Sequence, residues 1–257
     1  MLREPTLSRL RELRLRGMAD GYLAQEESAE AAALTFEERL GLLVDAEWTH
    51  RRNRTLARLL REAHLRIPAC PEDVDFASPR GLDRATLREL FAGRYLSHHQ
   101  NVLLFGATGV GKTYLACALG HACCRLGLRA SYARLSPLLS DIAVARMDGS
   151  YRTLATRLAK TDLLILDDFG LAPLTATEAR DLLTVVDDRY QSRSTLVASQ
   201  LPLAEWHRII ADPTLADAIL DRLVHNAHTF TLIGESMRKK KGGGSLPENN
   251  KRATLED

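Results

Sequence analysis

A glycine-rich segment at residues 106–113, GATGVGKT, constrains the fold of this chain more than any other stretch of its sequence. The apolar run VLLF (102–105) precedes it and predicts a buried strand, and a helical pattern follows it to about Leu126. The segment fits the pattern Gly-x4-Gly-Lys-Thr, whose glycines let backbone N–H groups close around phosphates at the start of a helix. The sequence therefore predicts a phosphate-binding loop between a strand and a helix.

Two groups of side chains give this loop a predicted chemistry. Lys112 can reach the β- and γ-phosphates of ATP, and the Thr113 hydroxyl can bind Mg²⁺. A second apolar run, LLIL (163–166), ends in Asp167 and Asp168. We expect Asp167 to organise the metal and Asp168 to polarise the attacking water. The alternative is a pair of acids in an ordinary turn. The predicted nucleotide-binding residues are Gly106, Ala107, Thr108, Gly109, Val110, Gly111, Lys112, Thr113 and Tyr114.

Short apolar runs alternate with helical patterns from residue 101 onward. Ser136 and Pro137 predict the start of one of these helices, with Ser136 as its N-cap. Alternation of this kind predicts an α/β fold with a parallel five-stranded sheet and helices on both faces. The three further predicted strands are RASYA (129–133), TLVA (195–198) and TFTLI (229–233), and two further helices are predicted over 176–190 and 215–226.

The first 66 residues have helical periodicity and no strand pattern. Thr35 and Glu38 form a predicted capping box at the start of a long helix, and Pro68 and Pro71 end the helical run. We therefore predict an all-helical N-terminal domain over 1–66, involved in DNA or partner binding, and an α/β domain over 67–236. The polar, Gly-rich stretch at 237–257 predicts a basic, disordered tail.

Charge is unevenly distributed along this N-terminal segment. Two basic blocks flank an acidic one: residues 1–19 hold five Arg and two Glu, and residues 48–66 hold six Arg and one Glu. Residues 20–47, between them, hold eight acids and one Arg. A basic block of this kind is typical either of a phosphate-binding face or of an ordinary solvated helix surface. The candidate DNA-binding residues, chosen on charge alone, are Arg51, Arg52, Arg54, Arg58 and Arg61.

The composition also predicts a cellular location. No stretch approaches the roughly 20 apolar residues that span a bilayer, and the N-terminus lacks the apolar core of a signal peptide. The four cysteines show no zinc-binding spacing. We expect a cytoplasmic protein with reduced thiols and no membrane partner.

Several motifs in the second half of the chain carry a resemblance to a known family. They are LLILDDFG, SQLPLAEWH, DPTLADAILDRLVHNA and GESMRK. Together with the phosphate loop, they make the chain similar to the IstB-type transposition helper ATPases. These are AAA+ P-loop proteins related to the helicase loader DnaC. The resemblance covers the chain to about Lys241. It departs from the family's usual loop at Ala107, Thr108 and Tyr114, and none of these changes removes a group that the predicted chemistry uses.

The resemblance implies roles for further polar residues. The end of the strand at Ser199 and Gln200 resembles the sensor 1 position, which contacts the γ-phosphate or the attacking water, and Gln200 is favoured over Ser199. Arg222 resembles an arginine finger that reaches the ATP of a neighbouring subunit, and Arg238 resembles the sensor 2 arginine. Judged on residue type alone, Arg222 is more typical of an ordinary salt bridge to Asp221 or Asp217, and only the resemblance reverses that order.

The family also implies partners for this chain. We expect ATP-dependent assembly of a homo-oligomer on duplex DNA without sequence preference, recruitment of an IstA-type transposase, and ATP hydrolysis with Mg²⁺. The main alternative is a DnaC-like helicase loader acting on single-stranded DNA. A metabolic P-loop kinase is a third possibility, but it would leave Arg222 and the basic blocks without a role. Residues 67–76 are the expected neighbourhood of the adenine, by position only.

Overall fold

Five parallel strands form one sheet in the computed structural model, which describes residues 3–76, 80–210, 212–235 and 237. Their spatial order is β2-β3-β4-β1-β5, so β1 lies between β4 and β5. All four pairings are parallel, which confirms the predicted five-stranded parallel sheet. The strands are β1 (Asn101–Gly106), β2 (Ala130–Arg134), β3 (Leu163–Phe169), β4 (Ser194–Ser199) and β5 (Ala227–Leu232).

Helices surround this sheet and also make up the N-terminal segment. They are α1 (Arg3–Glu12), α2 (Arg16–Glu27), α3 (Ala29–Ala32), α4 (Phe36–Ala63), α5 (Arg84–Phe91), α6 (Arg94–Ser97), α7 (Lys112–Arg125), α8 (Leu135–Asp148), α9 (Tyr151–Lys160), α10 (Ala176–Asp187), α11 (Trp206–Ile209) and α12 (Pro213–Val224). The helices predicted over 176–190 and 215–226 correspond to α10 and α12. α10 begins where predicted and ends three residues earlier, and both ends of α12 lie two residues earlier.

Each face of the sheet buries its own hydrophobic cluster. On one face, strand residues such as Leu104 and Ile165 pack with α7 and with the end of α4. On the other face, Leu103 and Leu166 pack with α8, α10 and α12. Successive strand residues point to opposite faces, and both faces are covered, so these strands are continuous apolar runs. The sheet is thereby a rigid layer that fixes the positions of the loops at its edges.

The long helix α4 begins as the sequence predicts. The Thr35 hydroxyl accepts from the backbone N–H of Glu38, and the Glu38 carboxylate accepts from the backbone N–H of Thr35, which completes the capping box. At its other end, Leu59 and Ala63 are buried in the core that α7 and the sheet share. One unbroken helix thus connects the N-terminal segment to the α/β core, and the domain boundary at residue 66 stays a prediction. Apart from Met237, the tail lies outside the described residues.

The predicted cap of α8 is wrong. This helix begins at Leu135, directly after β2, and its N-cap is Arg134, whose side chain makes no capping hydrogen bond. Ser136 instead lies inside the first turn, where its carbonyl accepts from the Ser140 hydroxyl. Pro137 is tolerated there because the first N–H groups of a helix have no partner within the helix. The strand runs into the helix without a loop, and this tertiary constraint overrides the capping preference of Ser136.

No helix in the described part of the chain combines the length and the apolar character that crossing a membrane requires.

Candidate functional site

The candidate site lies where three neighbouring strands end. β3, β4 and β1 are adjacent and parallel, so their carboxyl ends meet at one edge of the sheet. The phosphate loop follows β1, Asp167 and Asp168 end β3, and Ser199 and Gln200 end β4. Ligands of open parallel sheets bind at this edge. The fold therefore brings together the loop, the acidic pair and the sensor 1 candidates.

Two glycines of the loop hold conformations that other residues adopt poorly. Gly106 has φ +142°, and a Cβ there would collide with the carbonyl oxygen of Leu232 on β5. Gly111 has φ +106° and is the N-cap of α7. These conformations wrap the backbone closely around the start of α7, whose N-terminal N–H groups have no partners within the helix. The loop therefore has the geometry of an anion-binding site.

Lys112 lies within this loop and is 8% exposed. Its ammonium donates hydrogen bonds to the carbonyl oxygens of Gly106, at 2.6 Å, and Ala107, at 2.9 Å. A buried ammonium needs such partners, because its desolvation is costly. The same three donor hydrogens can turn to phosphate oxygens when a nucleotide enters the loop. Lys112 is thus held where the sequence predicts it to act.

Asp167 is buried and accepts hydrogen bonds from two elements besides its own. Its Oδ2 accepts from the Thr113 hydroxyl at 2.8 Å and from the Tyr132 hydroxyl at 2.7 Å. Its Oδ1 accepts from the backbone N–H of Asp168 at 2.9 Å. Burial and the bond to Asp167 raise the pKa of Tyr132 well above its usual value, so this phenol stays a donor. Three donors from three places fix the Asp167 carboxylate beside Thr113.

Asp168 adopts a left-handed backbone conformation, with φ +59°, at a register shift between β3 and β4. Such a conformation is unusual for a residue with a Cβ and marks local strain that the surrounding structure maintains. Its carboxylate is half-buried and lies 3.6 Å from the guanidinium of Arg66. That guanidinium also lies 4.0 Å from Asp167. The two acids are therefore in distinct environments.

Ser199 and Gln200 differ sharply in their surroundings. Ser199 is fully buried, and its hydroxyl is shared as a donor between the carbonyl oxygens of Phe169 and Leu201. Gln200 is exposed, and its Oε1 accepts from the hydroxyl of Thr108 in the phosphate loop at 2.6 Å. Gln200 is thus the member of the pair whose side chain reaches the loop.

A cavity of about 510 Å³ opens beside the phosphate loop. Tyr114 lines it and donates from its hydroxyl to the carbonyl of Asp73, at 3.4 Å. Arg80 also lines it, is 6% exposed, donates to the carbonyl of Asp75, and leaves its Nε without a hydrogen-bond partner. Ile67, Asp73 and Asp75 bring the segment 67–76 to this cavity, where the sequence places the neighbourhood of the adenine.

Arg222 lies at the opposite edge of the sheet. Asn101, the first residue of β1, donates to the carbonyl oxygens of Arg222 and Leu223. The phosphate loop begins at the other end of β1, about 17 Å away at the usual rise of a strand. The Arg222 guanidinium contacts Asp187 at 2.7 Å and Asp221 at 3.5 Å, so the salt bridge to Asp221 that the residue types suggest is present. Arg222 therefore does not join its own chain's phosphate site.

The sensor 2 candidate, Arg238, lies outside the described residues. Met237 is described, lines the same cavity, and donates from its backbone N–H to the carbonyl of Gly109 at 2.9 Å.

The five candidate DNA-binding arginines lie on the exposed surface of α4. Arg51 pairs with Glu47 at 2.6 Å, and Arg58 pairs with Glu62 at 3.0 Å. The Arg52 guanidinium lies over the ring of Trp48, 5.0 Å from its centroid. The Arg58–Glu62 pair is exposed on both sides and is therefore weak, about 0–1 kcal/mol, so phosphate oxygens can replace it. Glu47 is buried, but the Arg51 side chain itself is exposed and can also reach a phosphate.

Three residues of the site escape prediction from the sequence. In the sequence, Arg66 is only one of the positive charges of the basic block at 48–66. No local pattern links it to Asp167 and Asp168, which lie far along the chain. Tyr132 lies in a predicted strand, and only the pairing of β2 with β3 shows that its hydroxyl reaches Asp167. Arg80 stands in a loop without any periodic signal.

The donor set suits a magnesium ion. Thr113 and Asp167 offer a hydroxyl and a carboxylate oxygen within 2.8 Å of each other, and hard oxygen ligands are the ones Mg²⁺ prefers. Mg²⁺ retains several waters and is usually bound by one or two protein oxygens together with substrate phosphates. The residues present therefore fit a metal that arrives with the nucleotide.

Solved structures share this fold at low sequence identity. The helicase loader DnaC matches with a TM-score of 0.55 at 19% identity, over 64% of this chain and 97% of the loader chain. The replication initiator DnaA, solved with AMPPCP and single-stranded DNA, matches with a TM-score of 0.56 at 15% identity, over 72% of this chain and 58% of that chain. These likenesses show that the chain has the AAA+ P-loop fold.

Sequence relatives are much closer. The insertion sequence ATP-binding protein y4pL of Sinorhizobium fredii is 48% identical over 94% of this chain and 98% of its own length. The IS21 ATP-binding protein of Pseudomonas aeruginosa is 33% identical over 96% of this chain and 92% of its own length. A family model described as IstB-like ATP binding protein matches residues 8–244. The chain therefore belongs to the IstB-like ATP-binding proteins of insertion sequences.

Proposed function

We propose that this chain is an ATP-hydrolysing helper of transposition, which assembles on target duplex DNA and recruits a partner transposase. The observation that carries the proposal is the hydrogen bond between Thr113 and Asp167, next to Lys112 and at the start of α7. It joins the phosphate loop to the acidic end of β3, which is the arrangement that phosphoryl transfer needs. The relatives named after insertion sequences supply the biological setting.

Nucleotide binding follows from the loop. Backbone N–H groups from Gly106 to Thr113 surround the β- and γ-phosphates, and Lys112 exchanges its carbonyl partners for phosphate oxygens. Thr113 and Asp167 hold Mg²⁺, which when bound neutralises charge on the phosphate oxygens. The adenosine occupies the cavity beside Tyr114 and Arg80.

Hydrolysis uses the groups at the ends of β3 and β4. Asp168 accepts a hydrogen bond from the attacking water and polarises it, while Gln200 orients that water or the γ-phosphate. Gln200 is suited to this role because its side chain already reaches the phosphate loop through Thr108. Arg238 contacts the ATP of its own subunit, in keeping with the approach of the neighbouring Met237 to Gly109.

Assembly completes the site. Arg222 lies too far from its own phosphate loop to reach it, and on an outer helix it can reach the ATP of a neighbouring subunit. A guanidinium that arrives in trans neutralises charge developing on the γ-phosphate, an effect of about 10³–10⁵ in rate. Hydrolysis therefore depends on oligomerisation. The arginines of α4 contact DNA phosphates and position the protein without reading the sequence.

The test is sedimentation of the protein with duplex or single-stranded DNA, in ATP and in ADP. We expect large complexes on duplex DNA in ATP only, and phosphate release that is slow in the free protein and much faster in those complexes. Lys112→Ala should abolish both, because it removes the ammonium that the phosphates need.

Two controls sharpen this experiment. Asp168→Asn keeps the loop intact, so it should still assemble in ATP but release no phosphate. Arg94→Ala changes an exposed arginine far from the site and should behave as the wild type. Assembly on single strands alone would instead indicate a helicase loader, and a monomer in all conditions would contradict both functions.

A further inference from the structure

Arg66 connects the end of α4 to the acidic pair of the nucleotide site. Its guanidinium lies 3.6 Å from Asp168 and 4.0 Å from Asp167. Contact with the Tyr132 hydroxyl, and then the charges of Asp168 and Asp167, raise the pKa of Arg66 above its usual value. The arginine is thus charged at any physiological pH, and it lies against the two carboxylates of the predicted site.

The backbone around Arg66 is held firmly. α4 ends at His64 in a left-handed conformation with φ +50°, which turns the chain towards the sheet. Leu65 packs into the space above Gly120 of α7, and Ile67 packs against the same core. The backbone of Ile67 and that of Arg66 also hydrogen-bond to the buried Cys117, where they oppose the rise in the thiol's pKa that burial causes. Anchors on both sides aim Arg66 at β3.

Asp168 and Asp167 depend on Arg66 to different degrees. Asp167 has three hydrogen-bond donors, so its carboxylate is fixed without the arginine. Within the described ranges, the only cationic side chain within 4.0 Å of the Asp168 carboxylate is Arg66. The Asp168 carboxylate must accept a hydrogen bond from the attacking water, and the Arg66 guanidinium competes for the same carboxylate.

We infer that Arg66 is a positioning residue that restrains Asp168 in the DNA-free protein and releases it when α4 binds DNA. The inference rests on the proposed roles of Asp168 in hydrolysis and of the α4 arginines in DNA binding. Arg66 follows α4 by three residues, and its side chain is 43% exposed although its backbone is anchored. A DNA phosphate bound beside α4 can therefore draw the guanidinium away from Asp168 without moving the helix. The Asp168 carboxylate is then free to bind the attacking water in the complex with DNA, and it stays paired with Arg66 in the DNA-free protein.

The experiment measures phosphate release across a series of ATP concentrations, with and without random-sequence duplex DNA. For Arg66→Ala we expect kcat without DNA to rise about two- to fivefold, the factor that a half-exposed ion pair supports. KM for ATP and the rate with DNA should stay at wild-type values, so the stimulation by DNA falls. Arg66→Lys keeps the charge without the planar fork and should restore part of the stimulation.

Several controls separate the possible causes. Arg94→Ala removes an arginine whose carboxylate partner, Glu89, lies 3.9 Å away on the exposed surface, and it should leave the stimulation unchanged. Thermal unfolding checks that Arg66→Ala is folded, and Arg66→Gln, which keeps a hydrogen-bonding side chain, should show the same loss of stimulation.

A kcat without DNA that is unchanged or lower in both Arg66→Ala and Arg66→Gln would overturn the inference. If the wild type hydrolyses ATP and Asp168→Asn does not, an unchanged or lower kcat in the Arg66 variants overturns only the inference about Arg66. A wild type that binds ATP without hydrolysing it, or an Asp168→Asn variant with full activity, would overturn the proposed function as well.

Discussion

Neighbouring residues at the end of β4 show how burial assigns function. Both Ser199 and Gln200 are polar, and both end a strand beside the phosphate loop. Ser199 is buried, and its hydroxyl bridges the backbone of Phe169 and Leu201. Gln200 points into the site and contacts Thr108. A sequence pattern shows the pair but not the orientation of each side chain, which depends on the register of β4 between β3 and β1.

Alanine substitutions should separate these two roles. Gln200→Ala should lower kcat at least tenfold and leave the affinity for a fluorescent ATP analogue and the thermal stability unchanged, because the residue is exposed and acts on the reacting groups. Ser199→Ala should instead destabilise the fold by about 1–3 kcal/mol, because it leaves the buried carbonyl of Phe169 without its donor and the part-buried N–H of Leu201 without its acceptor. Denaturant unfolding and steady-state kinetics of both variants check this. The reverse pattern would identify Ser199 as the sensor.

At the scale of elements, α4 combines two surfaces. Leu59 and Ala63 anchor its C-terminal half in the core, whereas the arginines of that half face solvent. The basic block on this helix is consistent with the predicted phosphate-binding face and equally with a solvated surface. Salt dependence distinguishes the two, because only bound phosphates release counterions.

Replacing Arg51, Arg54 and Arg58 together by Gln tests this face. We expect weaker binding to every duplex, and the slope of log affinity against log salt concentration should fall by about 2–3. Fluorescence anisotropy at several salt concentrations measures it. The control replaces Arg84, Arg88 and Arg94 by Gln. These residues lie on α5 and α6, outside the basic block, so this triple variant has the same change in charge and should keep the wild-type slope. Equal slopes in the two triple variants would indicate a merely solvated helix.

Local patterns predict these elements well where the chain's own neighbours decide the structure. The capping box of α4 and the apolar strands β1 and β3 depend on residues a few positions apart, and the structure confirms them. The start of α8 depends on β2 running straight into it, so the cap at Ser136 was wrong. The contact of Arg66 with Asp168 depends on packing between distant segments, for which a single sequence holds no signal.

At the scale of the whole molecule, the proposed hydrolysis needs a group from a second subunit. The phosphate loop and Arg222 lie at opposite ends of β1. Subunits that repeat head to tail would place the Arg222 edge of one against the nucleotide edge of the next, which is a heterologous interface and leads to a ring or a helical filament.

Mixing two inactive variants tests this arrangement. Asp168→Asn lacks the group that activates water, and Arg222→Ala lacks the guanidinium supplied in trans, so each alone should release phosphate only at background rates. In an equal mixture, about a quarter of head-to-tail interfaces combine an intact Asp168 with an intact Arg222. Phosphate release should therefore return to roughly that fraction of the wild-type rate. A mixture no more active than its components would show that Arg222 acts within its own subunit or not at all.

The continuity of α4 has a geometric consequence for the assembly. Its 28 residues form a rod about 42 Å long, and one end is embedded in the body that holds the nucleotide. Because α4 runs into this body without a break, its arginine-bearing side, which is proposed to face DNA, keeps a fixed position relative to the phosphate loop of the same subunit. In a complex, the angle and the rise from one subunit to the next would thus be imposed on the duplex itself. The curvature of the bound DNA would then be a readout of the ATP-dependent interface.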